Sequence, residues 1–132
     1  MKKEKSCGAV VIKEENGKIK FLIIKQHDEY CHFPKGHVEA GETEEETAIR
    51  EVKEETNIDI EIVSKKKYKI NYNINKDTKK EVVFFLAKAI SFDLKNQENE
   101  IISCNWVDKD KVLDTLTYKN IKNVFTDVLK NV

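Results

Sequence analysis

Three carboxylates stand close together at Glu51, Glu54 and Glu55, within the stretch "AIREVKEETNI". On a helix turning about 100° per residue they share one arc of roughly 100°, beside an apolar stripe of Ala48, Ile49 and Val52. Like charges three and four residues apart weaken a helix by about 0.2–0.5 kcal/mol per pair, a repulsion that lysine at one position would remove. The arrangement makes sense if a cation sits among them. Oxygen-only donors suit a hard ion such as Mg²⁺ or Mn²⁺, which keeps several waters and joins protein carboxylates to a substrate's phosphates. A solvated acidic face is the other reading that the spacing leaves open.

The helix that must carry these groups is marked at both ends. Thr43 is followed three residues later by Glu46, the pattern of a capping box in which each side chain satisfies the other residue's orphan backbone N–H. Glu44, Glu45 and Glu46 fall in the first turn, where the helix dipole favours negative charge, so helix initiation explains them. Asn57 stands where a left-handed C-terminal cap is expected.

Around this helix the periodicity predicts strands. Asn16-Gly17 separates the apolar stretches Ser6 to Ile12 and Ile19 to Ile24, a strong hairpin signal. Ile58 to Val63 and Tyr68 to Ile74 alternate with a period of two. "NKDTKKE" reads as a polar turn, "VVFFLAKAI" as a strand buried on both faces, and Ile101 to Val107 as a further strand. Ile121, Val124, Phe125, Val128 and Leu129 recur at helical spacing. The order strands, helix, strands, helix predicts an α+β or mixed α/β domain with helices packed on a sheet.

Composition narrows the partners. A chain of 132 residues suits one domain. Its 24 basic and 24 acidic residues balance, which leaves no global field for a nucleic-acid duplex or an anionic membrane. The longest apolar runs, "CGAVVI" and "VVFFLA", fall far short of the ~20 residues of a membrane span. "MKKEK" and the short apolar stretch after it lack the length and cleavage site of a secretory signal, so a cytoplasmic protein is expected. Cys7, Cys31 and Cys104 are odd in number, widely spaced and without a CxxC pair, which suggests neither a disulfide framework nor a zinc site. They read as small buried hydrophobes, with Cys31 the most exposed.

The stretch from Gly36 to Ile58 resembles the signature of the Nudix hydrolases: Gly36, Glu42, Arg50, Glu51, Val52, Glu54, Glu55 and Ile58 occupy its fixed positions. The single departure is Asn57, where the family has glycine, and asparagine tolerates the same backbone region. Arg50 is the only arginine in the chain, and Pro34, the only proline, lies just before the box. The resemblance implies a Nudix α/β/α sandwich, a mixed β-sheet flanked by helices with a catalytic loop-helix-loop, as a single domain over residues 1–132 with the box at 36–58. It also implies a Mg²⁺-dependent hydrolase of nucleoside diphosphates linked to another moiety, Mn²⁺ being an alternative ion. Carried over by position, Glu54 and Glu55 would be the principal metal ligands, with the Gly36 carbonyl a third. Glu51 would bind metal or orient the attacking water, and Arg50 would lock the glutamates through a planar fork that lysine cannot reproduce. Glu42 would support the loop-helix geometry.

"FPKGHVEAGE" and "INYNINKDTKKEVVFFLA" resemble segments of the asymmetrically cleaving diadenosine tetraphosphate hydrolases. That subgroup implies Lys35 and His37 as phosphate contacts, Lys79 and Lys80 as guides for the polyphosphate, and Tyr72, Phe84 and Phe85 as base-stacking residues. Alternate aromatics on strands are also the ordinary composition of a core. His27 and His32 read as surface loop residues. Before Trp106 the resemblance implies a further metal-site or base carboxylate, with Glu100 the best fit and Glu98 in reserve. The expectation is a cytoplasmic pyrophosphohydrolase, monomer or weak dimer, that takes a small nucleotide and no duplex nucleic acid or membrane. The rival substrates are nucleoside triphosphates, nucleotide sugars and RNA 5′ ends. A non-catalytic nucleotide-binding regulatory module is the rival from another class, against which the intact carboxylate set argues.

Overall fold

The computed structural model describes residues 1–97 and 101–132. Strands β1 (Lys2–Glu15) and β2 (Lys18–Gln26) form the hairpin, with Glu15 opposite Lys18. Asn16 and Gly17 both have positive φ, 53° and 78°, as a tight two-residue hairpin turn of the primed type requires. The two short strands that follow are β3 (Cys31–His32), on β2, and β4 (Lys35–His37), on β1. Helix α1 (Glu44–Thr56) leads into β5 (Ile60–Ile62), β6 (Tyr68–Asn75), β7 (Thr78–Ala89) and β8 (Ile101–Asp108). A 3₁₀ turn and helix α2 (Val112–Thr115) precede helix α3 (Lys119–Leu129). The sheet is mixed: β1 and β7 run parallel at its centre, and the remaining pairings are antiparallel.

The pleat sends alternate residues of the central strands into two layers. Val10, Val82, Phe84 and Leu86 pack against Ile121, Val124, Phe125 and Val128 of α3, with Phe21 and Phe125 edge to face at 4.9 Å. On the other face Cys7, Val83 and Phe85 meet Ala48 of α1, while Ala9, Val11 and Ala87 meet Val52 and Ile58. Burying a side chain the size of Phe125 stabilises the fold by about 1.5–3 kcal/mol.

This layering corrects four expectations. Phe84 and Phe85 are fully buried on opposite faces of the sheet, Phe84 edge to face with Phe33, so neither offers a ring to a base. The polar turn shrinks to Lys76 and Asp77, because Asn75 already pairs with Thr78 and its side chain accepts the Asp77 N–H. Lys79 and Lys80 therefore lie in β7. On α1, Ile49 is 41% exposed, and the buried face is Thr47, Ala48, Val52, Glu55 and Thr56. The two threonine hydroxyls donate to backbone carbonyls of the preceding turn, which lets polar residues occupy that face. Among the described residues no helix is long and apolar enough to cross a membrane.

Candidate active site

The capping box forms at Thr43 and Glu46, in both directions. Asn57 closes α1 at φ 67°, its N–H donating to the Lys53 carbonyl. These two ends set where the helix begins and stops, and so which residues fall on its turns.

Arg50 is the hub of the loop and helix. Its Nε and Nη2 donate to the two oxygens of Glu42 at 2.6 and 2.9 Å, a bidentate pair. Nη1 reaches Glu51 at 2.9 Å and both oxygens of Glu54 at 3.2 Å, and Nη2 also reaches the His37 carbonyl at 3.0 Å. Glu42 further accepts from the Glu39 N–H and the Thr47 hydroxyl. The Arg50 guanidinium and, after it, the Glu39 N–H hold the Glu42 carboxyl down to about 2. Glu42 is thus a fixed anion that ties the loop to the helix, the role the resemblance implied.

Glycine at position 36 has a steric cause. A Cβ there would overlap the carboxyl group of Glu51, which packs directly over the β4 backbone. Glu55 is more deeply placed than its neighbours, at 4% exposure, with Oε1 accepting the Lys35 N–H at 3.0 Å. Glu54 faces solvent beyond Arg50. Three carboxylates and the Gly36 carbonyl make an all-oxygen donor set. A Mg²⁺ ion needs one or two protein carboxylates and takes its other oxygens from water and phosphates, so this set fits it. As they stand, Glu51 and Glu54 contact Arg50 and Glu55 contacts Lys35. Among the described residues no three acidic, histidine or cysteine side chains form a closed metal cage. Glu98 and Glu100 lie outside the described residues.

On the α3 side of the sheet lies a cleft of about 490 Å³. Tyr30, Tyr72 and Tyr118 supply its aromatic surface, Gln26, His32 and Asn120 polar groups, and Lys35 a cation. Burial pushes the Lys35 ammonium below the usual lysine range, with Glu55 and Glu51 opposing. Tyr30 and Tyr118 stack tilted at 4.9 Å, and their hydroxyl contact pushes the Tyr118 phenol up to about 12. Of the residues expected from sequence, Lys35 and Tyr72 reach this cleft. Of the lysine pair, the pleat places Lys80 beside Tyr72, buried at 5% exposure near Glu4, and Lys79 on the α1 face of the sheet. His37 is exposed and contributes its carbonyl to Arg50.

Sequence reasoning missed Tyr30 and Tyr118, which are joined by mutual bonds between Cys31 and Thr117. It also misplaced His32, which is buried: Nδ1 lies 2.9 Å from the Phe33 carbonyl and Nε2 2.7 Å from Gln26 Oε1. The loop between β2 and β4 folds inward, because Phe33 must reach the core. Burial is the main reason that the His32 pKa falls to about 4, with the Phe33 carbonyl opposing. Unfolded His32 takes up its proton near pH 6.5. The unfolded state therefore binds more protons between those values, and stability falls as pH drops through the window. His32 should cost the native state about 2 kcal/mol between pH 7 and pH 4.5. Urea unfolding of wild type and His32→Gln at the two pH values checks this: the variant should lose less, and equal losses would contradict it.

The comparisons with known proteins agree with this geometry. The NUDIX domain profile matches residues 2–128, so the chain belongs to the Nudix family. The asymmetrical bis(5′-nucleosyl)-tetraphosphatase of Sus scrofa is 28% identical over 93% of this chain and 91% of its own. The protein of the same description from Caenorhabditis elegans is 31% identical over 86% of each chain. A crystal structure of a C. elegans Ap4A hydrolase binary complex superposes with a TM-score of 0.84, at 28% identity over 98% of this chain and 99% of that one. The family generally uses a divalent metal.

Proposed function

We propose that this Nudix hydrolase cleaves bis(5′-nucleosyl) tetraphosphates asymmetrically, converting diadenosine tetraphosphate to ATP and AMP with Mg²⁺ as its ion. The observation that carries this reading is the position of Lys35. Its backbone N–H holds Glu55 of the carboxylate helix, while its side chain lines the aromatic cleft. A base among the tyrosines would therefore place its phosphate chain toward the glutamates across a single residue. The relatives that match over nearly their whole length carry the same substrate class in their names.

Glu54 and Glu55, with Glu51 and the Gly36 carbonyl, would hold the ion. When bound, it neutralises the polyphosphate and lowers the pKa of a water. The chain's own residues do the rest. Arg50 keeps the helix carboxylates in register, Glu42 ties Arg50 to the loop, and Lys35 and Lys80 attract the phosphate chain. Tyr72 and Tyr118 offer faces to the base. Glu100, by the resemblance, is the carboxylate that takes the proton from water. The protein acts in the cytoplasm as one unit over residues 1–132, monomeric or weakly dimeric, with Cys7, Cys31 and Cys104 as free thiols.

Specificity constants for diadenosine tetraphosphate, ATP and ADP-ribose test the reading, with the tetraphosphate expected to be highest. Tyr72→Ala should reduce that advantage by about 1–3 kcal/mol, the range for base–aromatic stacking. A higher constant for ADP-ribose, or an unchanged preference in the variant, would contradict it.

A further inference from the structure

Two walls of the cleft come from parts of the chain that share no strand or helix. Gln26, Tyr30 and His32 belong to β2, β3 and the turn between them, and Tyr118 and Asn120 to the start of α3. The turn is tied to its own hairpin: the Gln26 N–H donates to the Tyr30 carbonyl, the Glu29 N–H to the Gln26 carbonyl, and β3 pairs with β2 through Cys31 and His32. The bonds that cross to the α3 side meet at one point. The Cys31 N–H donates to Thr117 Oγ1 at 2.8 Å, the Thr117 N–H donates to the Cys31 carbonyl at 3.2 Å, and beside them the Tyr30 and Tyr118 hydroxyls meet. Both backbone groups of Cys31 are thus taken by one residue. A threonine next to a helix start ordinarily spends its hydroxyl on the first turn. Here α3 begins from Tyr118 with no side-chain cap among the described residues, and the Thr117 hydroxyl goes to a residue 86 positions away.

We propose that Thr117 is a positioning residue for substrate binding: its paired bonds to Cys31 hold the β2–β3 wall of the cleft at the spacing from α3 that the nucleotide needs. Neither Thr117 nor Cys31 lines the cleft, so the effect passes through the walls and not through contact. A wall fixed in advance spares the substrate the cost of ordering it, which strengthens binding without a new interaction. The carboxylate helix α1 packs on β1, β4, β5 and β7, none of which carries Cys31 or Thr117. The latch therefore bears on affinity and leaves the chemical step alone. This inference rests on the nucleotide-hydrolase reading above and adds to it the residue that keeps the cleft in shape.

Steady-state hydrolysis of diadenosine tetraphosphate at saturating Mg²⁺ by wild type, Thr117→Val and Thr117→Ser tests it. Valine keeps the branched shape and the backbone N–H but offers no acceptor to the Cys31 N–H, whereas serine keeps the acceptor. Thr117→Val should raise KM by up to about tenfold, the scale of one net hydrogen bond, and hold kcat within about twofold, the pattern of lost binding. Thr117→Ser should keep the wild-type KM. Thiol labelling in the absence of substrate gives a readout apart from catalysis, because Cys31 is half-buried while Cys7 and Cys104 are buried. Thr117→Val should label faster than wild type, and Thr117→Ser should not. The melting temperature should hold in both variants, since the Cys31–Thr117 bond lies at the surface, where water replaces the hydroxyl. With an active wild type, an unchanged KM or unchanged labelling in Thr117→Val would overturn this inference alone. A fall in kcat or melting temperature in Thr117→Val, or a KM raised equally in Thr117→Ser, would overturn it by making Thr117 a structural residue. A wild type that leaves diadenosine tetraphosphate intact would overturn the hydrolase reading and this inference with it.

Discussion

Glu55→Gln and Glu54→Gln should each lower kcat/KM by about 10³-fold while leaving the fold intact. An ion on a phosphoryl oxygen stabilises several kcal/mol of transition-state charge, and each 1.36 kcal/mol is a factor of ten in rate. Gln keeps the size of Glu and a carbonyl oxygen, so at position 55 the bond from the Lys35 N–H at 3.0 Å can persist. At position 54 the side chain is half exposed and contacts Arg50 from the outside, so the fold loses little there. What both variants lack is the negative charge that attracts a cation. Steady-state rates across a Mg²⁺ titration, with circular dichroism melts as the control for folding, separate the two effects. Near-wild-type turnover at saturating Mg²⁺ in both variants would remove these glutamates from the site.

Arg50→Lys should lower both activity and stability. Lysine keeps one positive charge and loses the fork that grips both oxygens of Glu42 while also reaching Glu51, Glu54 and the His37 carbonyl. Breaking a fully buried pair costs about 3–5 kcal/mol. Arg50 retains 23% of its side-chain exposure and Glu42 17%, so solvent screening brings the expected cost to about 2 kcal/mol. In a domain of this size that is a fall of roughly 4–8 °C in Tm. Loosened glutamates should also cost about tenfold or more in kcat/KM, the usual effect of losing a residue that orients metal ligands. An unchanged melting temperature and rate would mean that Arg50 is an ordinary surface charge.

The parts of the site that were legible in advance are those set by local physics. Thr43 and Glu46 bond across three residues, Asn57 adopts the left-handed conformation its side chain tolerates, and Asn16-Gly17 turns a hairpin. None of these needs to know what packs on the other side. The rotation of α1 about its axis was less accessible. Ala48 and Val52 were placed correctly, but Ile49 points outward because Thr47, Glu55 and Thr56 satisfy their polar atoms locally and can occupy the buried face. His32 and Phe33 turned inward for a reason that lies far away in the chain: Phe33 fills space between Phe84 and Phe125. The tyrosine cleft was the least legible feature. Tyr30 and Tyr118 belong to separate loops, and the two bonds between Cys31 and Thr117, 86 residues apart in sequence, bring them together. Because the turn has two residues and not seven, Lys79 and Lys80 are successive strand residues on opposite faces of β7, and only Lys80 shares a face with Tyr72.

Product analysis of diadenosine tetraphosphate hydrolysis, with Mg²⁺ and with a chelator, is the most direct measurement of what the carboxylate helix and the tyrosine cleft do together. Anion-exchange separation of the products should show ATP and AMP in equal amounts in the presence of Mg²⁺ and none when the ion is removed. Two molecules of ADP, or hydrolysis that continues undiminished in the chelator, would contradict an asymmetric, metal-dependent Nudix site built on Glu51, Glu54 and Glu55.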